Sequence, residues 1–263
     1  MPYAIVIVPV APLRATASHR SEMVSQLLWG ACVEIMETAP GGWALVKNQY
    51  DEYIGWATVA HLEPIDEELF QAPAMAYMPG WVNRVTLNGQ PMQVPFGCLV
   101  KGVPAIAAQW GQVTVKLEDQ PLALPTTGAN VDMAALENAA WQFLNTAYLW
   151  GGNSVFGVDC SGFTQTVFKL LGIPLWRDAY QQATQGHTVD FLQEARLGDL
   201  AFFDNEEGKI THVGILLSDH EIIHASGKVR IDAIDNQGII NADTGIRTHQ
   251  LRIIKRLLAT GRP

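Results

Sequence analysis

The sequence predicts an α+β protein with short strands in its first half and mixed helices and strands in its second. Residues 4 to about 70 show short β-type runs punctuated by prolines and glycines, without long helical periodicity. A helical pattern begins at Cys160, and three strand-like runs follow it. The chain has 263 residues, 48% of them hydrophobic and 16% charged, which is enough core material for one large domain or two to three small ones.

The N-terminal strands are expected to form one or two small barrels, the usual solution for short strands at close spacing. The strand candidates of the first section are Ala4–Val10, Cys32–Glu37, Trp43–Lys47 and Tyr53–Thr58. Those of the second section are Trp81–Val85, Pro95–Leu99 and Gln112–Leu117. We therefore predict domains over residues 1–70 and 74–126, followed by a linker at Pro125–Gly128.

A third domain is predicted over residues 132–263 and should contain two helices. Asp132 is expected to cap the first, whose apolar stripe is Met133, Leu136, Ala140, Phe143 and Leu144. The second should begin at Cys160, where apolar side chains recur at helical spacing until Gly172 and Pro174 end the run.

Cys160 is the candidate nucleophile, because a glycine-rich approach delivers it to the first turn of a helix. Unpaired N–H groups and the helix dipole there favour the thiolate, and such positions lower a thiol pKa from roughly 8.5 to about 3.5–7.5. The alternative is a buried core thiol. Its neighbours Asp159 and Ser161 do not suit a core position, so we favour a reactive cysteine.

Two histidines on successive strands are candidates to activate this thiol. His212 lies at the entrance of the predicted strand Thr211–Leu217, and His224 lies in the next strand, Glu221–Gly227. If the strands pair, His212 can take the thiol proton and His224 can orient its ring. A metal site built from the same three residues is the weaker alternative, because no close ligand pair accompanies them.

Composition excludes several classes of partner. The net charge of −9 argues against nucleic acid or an anionic membrane, and no apolar run approaches the roughly 20 residues of a membrane span. Gly151-Gly152 lacks the residues of a phosphate loop, so no nucleotide is expected. We also expect no other cofactor and no metal. Cys32, Cys98 and Cys160 are scattered, and no leader pattern opens the chain, which predicts a cytoplasmic protein unless a leader precedes residue 1.

Five motifs together resemble the NlpC-type papain-like cysteine peptidases of bacterial cell-wall metabolism. They are Tyr148-Leu-Trp-Gly-Gly152, Asp159-Cys-Ser-Gly-Phe163, Leu197-Gly-Asp-Leu200, Thr211-His-Val-Gly-Ile215 and Ile223-His-Ala-Ser226. The resemblance implies a papain-like α+β core that cleaves murein peptides. It also implies Cys160 as nucleophile, His212 as base, His224 as third polar residue and Tyr148 close to the thiol.

The N-terminal section resembles bacterial SH3-like domains through Gln26–Gly30, Gly42–Val46 and Tyr53–Trp56. Together with Ser21–Gln26, this resembles the γ-D-glutamyl-L-diamino acid endopeptidase branch, which cleaves free wall peptides during recycling. By that resemblance Glu22, Tyr53 and Asp159 would receive the free amine of an N-terminal L-alanine. Asp159 is also a natural helix cap, and Glu22 and Tyr53 also suit a surface charge and barrel packing.

Ser161 and Asp178 are further candidates for substrate contact. Arg177-Asp178-Ala179-Tyr180 resembles the groove-wall segment of that family, with Ala179 where some members have serine. The expected reaction is hydrolysis of the bond between D-glutamate and the diamino acid in peptides with a free L-Ala. Wall-targeted murein hydrolysis, with the barrels as targeting modules, and amidase or transpeptidase chemistry by the same Cys–His pair remain alternatives.

Overall fold

The computed structural model describes residues 2–102, 107–125 and 132–258. The chain divides into an N-terminal unit, Met1–Leu124 with Trp150–Phe156, and a C-terminal unit, Pro125–Leu149 with Gly157–Pro263. The predicted linker lies outside the described residues from residue 126 onward.

The first part of the N-terminal unit is a seven-stranded antiparallel sheet in the order β3-β2-β6-β5-β4-β1-β7. Its strands are β1 Tyr3–Val6, β2 Val10–Arg14, β3 Met23–Leu28, β4 Cys32–Ala39, β5 Trp43–Asn48, β6 Ile54–Thr58 and β7 Leu62–Ile65. Alternate residues such as Val6, Leu13, Val33 and Val46 are fully buried in its core. The predicted strand Ala4–Val10 is wrong in extent, because the chain leaves the sheet between Val6 and Val10.

The second part of this unit begins with helix α1, Glu67–Gln71, and continues as two small sheets. Their strands are β8 Ala74–Tyr77, β9 Val82–Leu87, β10 Gln90–Pro95, β11 Leu99–Lys101, β12 Ala107–Trp110, β13 Val113–Leu117 and β14 Leu122–Ala123. The sheet orders are β10-β9-β13-β12 and β11-β8-β14. The predicted strand Pro95–Leu99 is wrong, because Gly97 has a φ of +81° and turns the chain between β10 and β11.

Both parts of the N-terminal unit share one apolar core. Trp29 and Trp110 are fully buried within it, with their ring centroids 4.6 Å apart. The buried amine of Lys101 donates to Gln49 Oε1 and to the Phe70 carbonyl, which links β11 to the first sheet and to α1. Cys32, Cys98 and Cys160 are all free thiols.

The C-terminal unit contains three helices: α2 Met133–Trp141, α3 Cys160–Leu170 and α4 Ala179–Gln182. Asp132 caps α2 as predicted, accepting a hydrogen bond from the Ala134 N–H. Helix α3 packs against α2 and against two strands of the main sheet. Ten of its eleven residues are buried, so the side chain at its N-terminus is held in the interior.

The strands after α3 form a sheet that closes on itself. The order is β17-β23-β18-β19-β20-β21-β22, and β22 also pairs with β23. Their bounds are β17 His187–Val189, β18 Leu200–Asp204, β19 Ile210–Leu216, β20 Glu221–Ser226, β21 Lys228–Asp235, β22 Gly238–Ile240 and β23 Arg247–Arg256. Two short strands, β15 Asn153–Ser154 and β16 Gly157–Val158, precede α3. The predicted α+β class is confirmed, with strands in excess of helices.

Candidate active site

Cys160 is the first residue of α3, as predicted. The carboxylate of the N-cap Asp159 accepts a hydrogen bond from the Gly162 N–H at 2.7 Å. Cys160 is 6% exposed, so its thiol is buried at the start of the helix. Helix α3 packs against β19, the strand that carries His212, so the structure brings together the two elements that hold the nucleophile and base candidates.

The expected low pKa of this thiol is wrong. Burial raises the pKa of Cys160 from an ordinary 9.0 to about 12, and the Asp159 carboxylate adds to the increase. The N–H of Val213, Arg177 and the N–H of Ser161 act in the opposite direction. The increase corresponds to about 4 kcal/mol, whereas a helix terminus contributes about 0.3–1 kcal/mol and at most about 2. Burial outweighs the dipole, so the resting side chain is a neutral thiol.

The predicted adjacency of the two histidines is confirmed. Strands β19 and β20 pair with Gly214 opposite His224, and His212 Nε2 lies 2.9 Å from His224 Nδ1. Both rings are buried, at 6% and 1% exposure. Burial, followed by the charges of His224 and His249, lowers the pKa of His212 well below its usual value, so its imidazole is neutral and able to accept a proton.

An acidic residue that sequence reasoning missed completes a chain of hydrogen bonds. His224 Nε2 lies 3.0 Å from Asp232 Oδ2, and the Asp232 side chain is 1% exposed. Arg230 Nη2 donates to Asp232 Oδ1 at 2.9 Å. The sequence could have indicated this residue. A β20–β21 hairpin centred on Gly227 places His224 opposite Arg230, and Asp232 lies two residues after Arg230 on β21, with its side chain on the same face.

A third histidine, also missed, packs on the candidate base. The ring of His249 on β23 stacks on His212 with centroids 4.2 Å apart and planes inclined by 27°. Burial is the main cause that lowers the pKa of His249 to about 4. His212 therefore has a fixed ring plane as well as a fixed hydrogen-bond partner.

Asp159 and Ser161 are engaged by a buried arginine. Arg177 is 1% exposed and donates to both carboxylate oxygens of Asp159, at 3.0 and 2.6 Å, and to Ser161 Oγ at 2.9 Å. The carboxylate that was predicted to bind the substrate amine is thus paired with the Arg177 guanidinium, so Asp159 has a structural role beside Cys160. Its role in binding an amine remains a prediction.

Tyr148 lies close to this cluster. Burial, then the charges of Cys160 and Asp159, raises the pKa of Tyr148 to about 12, so its hydroxyl remains a hydrogen-bond donor at neutral pH. Asp178 is half-buried and caps the short helix α4, where its N–H donates to Gln181 Oε1 at 3.3 Å. Contact of Tyr148 or Asp178 with a substrate stays a prediction.

Glu22 and Tyr53 lie in the N-terminal unit. Glu22 is exposed, and its Oε1 accepts a hydrogen bond from Trp150 Nε1 at 2.6 Å. Tyr53 is half-buried and packs on the core of the first sheet. Gln26 Oε1 accepts from the Asn153 N–H at 2.8 Å, so the segment Trp150–Phe156 is held in this unit at more than one point. The amine-binding role of Glu22 and Tyr53 stays a prediction.

Neither a metal cluster nor a membrane helix is found in the part of the chain that the structure describes. Within residues 2–102, 107–125 and 132–258, no group of three or more His, Cys, Asp or Glu side chains is placed to hold a metal ion. In the same ranges, no helix has the length and apolar character needed to cross a membrane.

A neutral thiol at a helix N-terminus, on a helix packed against the strand of a neutral imidazole that has its own polar partners, is an arrangement suited to a cysteine–histidine nucleophile site. Residues 145–248 match the NlpC/P60 family, and residues 13–62 match the bacterial dipeptidyl-peptidase Sh3 domain. Residues 145–248 therefore carry an NlpC/P60-type domain, and an SH3-type domain precedes it, as the sequence predicted.

Individual proteins agree with this assignment. A γ-D-glutamyl-L-lysine dipeptidyl-peptidase of Bacillus cereus is 37% identical over 131 residues, which are 48% of this chain and 38% of that protein. Dipeptidyl-peptidase 6 of Lysinibacillus sphaericus is 25% identical over 262 residues, covering 89% of this chain and 92% of the relative. A crystal structure of an NlpC/P60 family protein from Bacillus cereus has the same fold, with a TM-score of 0.79, 20% identity and coverage of 97% of this chain and 99% of that one.

Proposed function

We propose that this protein is a cysteine endopeptidase that hydrolyses peptides derived from peptidoglycan. The observation that supports it best is the buried Cys160 thiol at the start of α3, a helix that packs against β19, the strand carrying His212 of the buried His212–His224 pair. The relatives named as γ-D-glutamyl-L-lysine dipeptidyl-peptidases support the substrate class. The bond proposed to break joins D-glutamate, through its γ-carboxyl, to a diamino acid.

The proposed reaction is acyl transfer through a thioester. His212 removes the thiol proton as Cys160 Sγ attacks the γ-carbonyl carbon, because a thiol with a pKa of about 12 cannot ionise alone at neutral pH. The C–N bond then breaks, and the proton on His212 passes to the leaving amine. Water attacks the thioester with His212 again as base, which releases the glutamyl product and restores the thiol.

The negative charge that develops on the carbonyl oxygen needs nearby donors. The backbone N–H of Cys160 at the open end of α3 is one candidate. The Tyr148 hydroxyl is the other, since a pKa of about 12 keeps it protonated while the reaction runs. Removing one such donor commonly costs on the order of 10²–10³ in kcat.

The finer substrate preference is also a proposal. We expect peptides that begin with a free L-alanine, released during turnover of the wall, and a cytoplasmic place of action where such peptides are recycled. The alternative is a wall hydrolase that acts on intact murein. Amidase or transpeptidase chemistry would use the same acyl-enzyme with a different substrate or an amine acceptor.

Mass spectrometry of three substrates tests the proposal. L-Ala-γ-D-Glu-diaminopimelate should yield L-Ala-D-Glu, while its N-acetylated form and intact murein should yield little. The variant Cys160→Ala should be inactive and folded, whereas Cys98→Ala, which removes a buried thiol of the N-terminal unit, should retain activity.

Each other outcome has a distinct meaning. Cleavage of intact murein would favour the hypothesis of a wall hydrolase, and new adducts with added amines would favour transpeptidation. Appreciable hydrolysis by Cys160→Ala would contradict a cysteine nucleophile altogether.

A further inference from the structure

The Asp232 carboxylate lies at the far end of the histidine pair, away from the thiol. Its Oδ2 is 3.0 Å from His224 Nε2 and 2.9 Å from Arg230 Nε. Its Oδ1 accepts from Arg230 Nη2 at 2.9 Å and from the Ala242 N–H at 2.8 Å. Both oxygens therefore have hydrogen-bond partners, although the side chain is almost completely buried.

This environment keeps Asp232 ionised. Burial alone would raise the pKa of the carboxyl, but its hydrogen bonds with His224, Arg230 and the Ala242 N–H together hold the pKa below its usual value. An ionised carboxylate can only accept hydrogen bonds, so the proton between Asp232 and His224 must be on His224 Nε2.

The position of that proton fixes the next one. In its neutral form, His224 with a proton on Nε2 presents a lone pair on Nδ1. His212 Nε2, at 2.9 Å, must then carry a proton and donate it to that lone pair. The neutral ring of His212 has only one proton, so its Nδ1 is left with the lone pair that a general base needs.

We propose that Asp232 is a positioning residue that, acting through His224, determines which ring nitrogen of His212 is free to accept the thiol proton. This rests on the proposed role of His212 as base, and it adds an anchored carboxylate to the two histidines. Asp232 need not touch the substrate. Its negative charge also stabilises, through the hydrogen bonds of His224, the imidazolium that forms when His212 accepts the thiol proton.

The variant Asp232→Asn tests this, because its surroundings dictate how the amide lies. The N–H of Ala242 and Arg230 Nη2 both point at the Oδ1 position, so the amide oxygen should occupy it. The NH₂ group then faces His224 Nε2, which must accept. His224 becomes protonated on Nδ1, His212 accepts at Nε2, and the proton of His212 moves to Nδ1, where the base is needed.

The expected loss in kcat/KM is on the order of 10⁴-fold, the size of the loss in kcat when an aspartate-to-asparagine change imposes the wrong tautomer on a catalytic histidine. Most of the loss should fall in kcat, because the substrate is not contacted. The matched control is Asp243→Asn: the exposed Asp243 binds Nη1 of the same Arg230 at 2.7 Å without reaching His224, and its removal should leave kcat/KM within about twofold.

A double-mutant cycle separates this mechanism from a loss of stability. In His224→Asn the amide oxygen can accept a hydrogen bond from His212 Nε2 whichever residue is at position 232. This variant therefore interrupts the relay, by which we mean the action of Asp232 on His212 through His224. Asp232→Asn should then cost less than about tenfold in the His224→Asn background, and the double variant should be more active than Asp232→Asn alone. An equal loss in both backgrounds would refute the relay.

Nitrogen-15 NMR of the histidine rings provides a readout that needs no substrate. At a pH above the ordinary imidazole range, His212 should show a protonated Nε2 in the wild type and in Asp243→Asn, and a protonated Nδ1 in Asp232→Asn. An unchanged His212 pattern in Asp232→Asn would overturn the proposal. Inversion of the pattern, in a protein that cleaves none of the peptides above, would uphold the relay and reject the proposed function.

Discussion

The protonation state of Cys160 can be tested by titrating the thiol directly. Burial and the Asp159 carboxylate raise the pKa of this thiol to about 12. At that value about one thiol in 10⁵ is ionised at pH 7, and about one in 100 at pH 10. A thiolate–imidazolium pair formed before the substrate binds would instead be almost fully ionised at pH 7, so the two descriptions differ by several orders of magnitude.

The assay is the difference in ultraviolet absorbance between the wild type and Cys160→Ser, followed from pH 6 to about pH 10.5. A thiolate absorbs far-ultraviolet light at wavelengths where a thiol is transparent. Cys32 and Cys98 are present in both proteins and cancel. Tyr148 also cancels over this range, because its pKa of about 12 keeps it un-ionised in both. We expect almost no difference signal below pH 10.

A full thiolate signal at pH 7 would refute the reasoning. It would mean that the helix terminus and His212 together outweigh a net cost of about 4 kcal/mol, which comes mainly from burial and then from the Asp159 carboxylate. The transfer of the proton would then precede attack on the substrate, rather than accompany it. Activity measurements alone cannot separate these cases, because the two resting states contain the same number of protons.

Three further predictions concern stability. Arg177→Met should lower the free energy of unfolding in urea by about 3–5 kcal/mol, because it removes the guanidinium that compensates the charge of the buried Asp159 carboxylate, and adding Asp159→Asn should recover part of the loss. Acidification from about pH 6.5 toward pH 4 should destabilise the protein, because His249 is protonated at its ordinary pKa in the unfolded chain but only at a pKa of about 4 in the folded state. His249→Phe should make the free energy of unfolding less dependent on pH over this range. An unchanged pH dependence in that variant would contradict the prediction. Lys101→Met should lower the melting temperature by an amount equivalent to about 1–3 kcal/mol, since it removes the two hydrogen bonds that the Lys101 amine donates to Gln49 Oε1 and to the Phe70 carbonyl, which then keeps only Gln49 Nε2 as a donor. An unaltered melting temperature would show that these two bonds contribute nothing.

The local part of the site could be predicted from the sequence. Cys160 starts a helix because Asp159 precedes an apolar run of helical period, and both signals lie within a few residues. His212 and His224 meet because consecutive strands joined by a short turn pair antiparallel. These predictions need only short-range rules.

The parts that failed depend on sequence-distant contacts. His249 reaches His212 because β18 lies between β19 and β23 in the closed sheet, with Phe203 opposite both His212 and Leu251. Nothing near residue 249 announces that register. The thiol pKa was misjudged for the same reason, because burial by β19 and the other elements around α3 outweighs the local helix terminus.

The way the N-terminal unit is completed has a consequence for its biosynthesis and for its exchange between proteins. Trp150–Phe156 belongs to this unit, and a β-carbon added to Gly151 would come within 2.3 Å of the Met23 carbonyl oxygen. A nascent chain that has emerged only as far as Leu124 therefore lacks the indole that binds Glu22 and the backbone that binds Gln26. A chimera that replaces residues 1–124 with another SH3-type module must also replace residues 150–156. Otherwise the new module would pack against a segment whose hydrogen bonds are complementary to the original module.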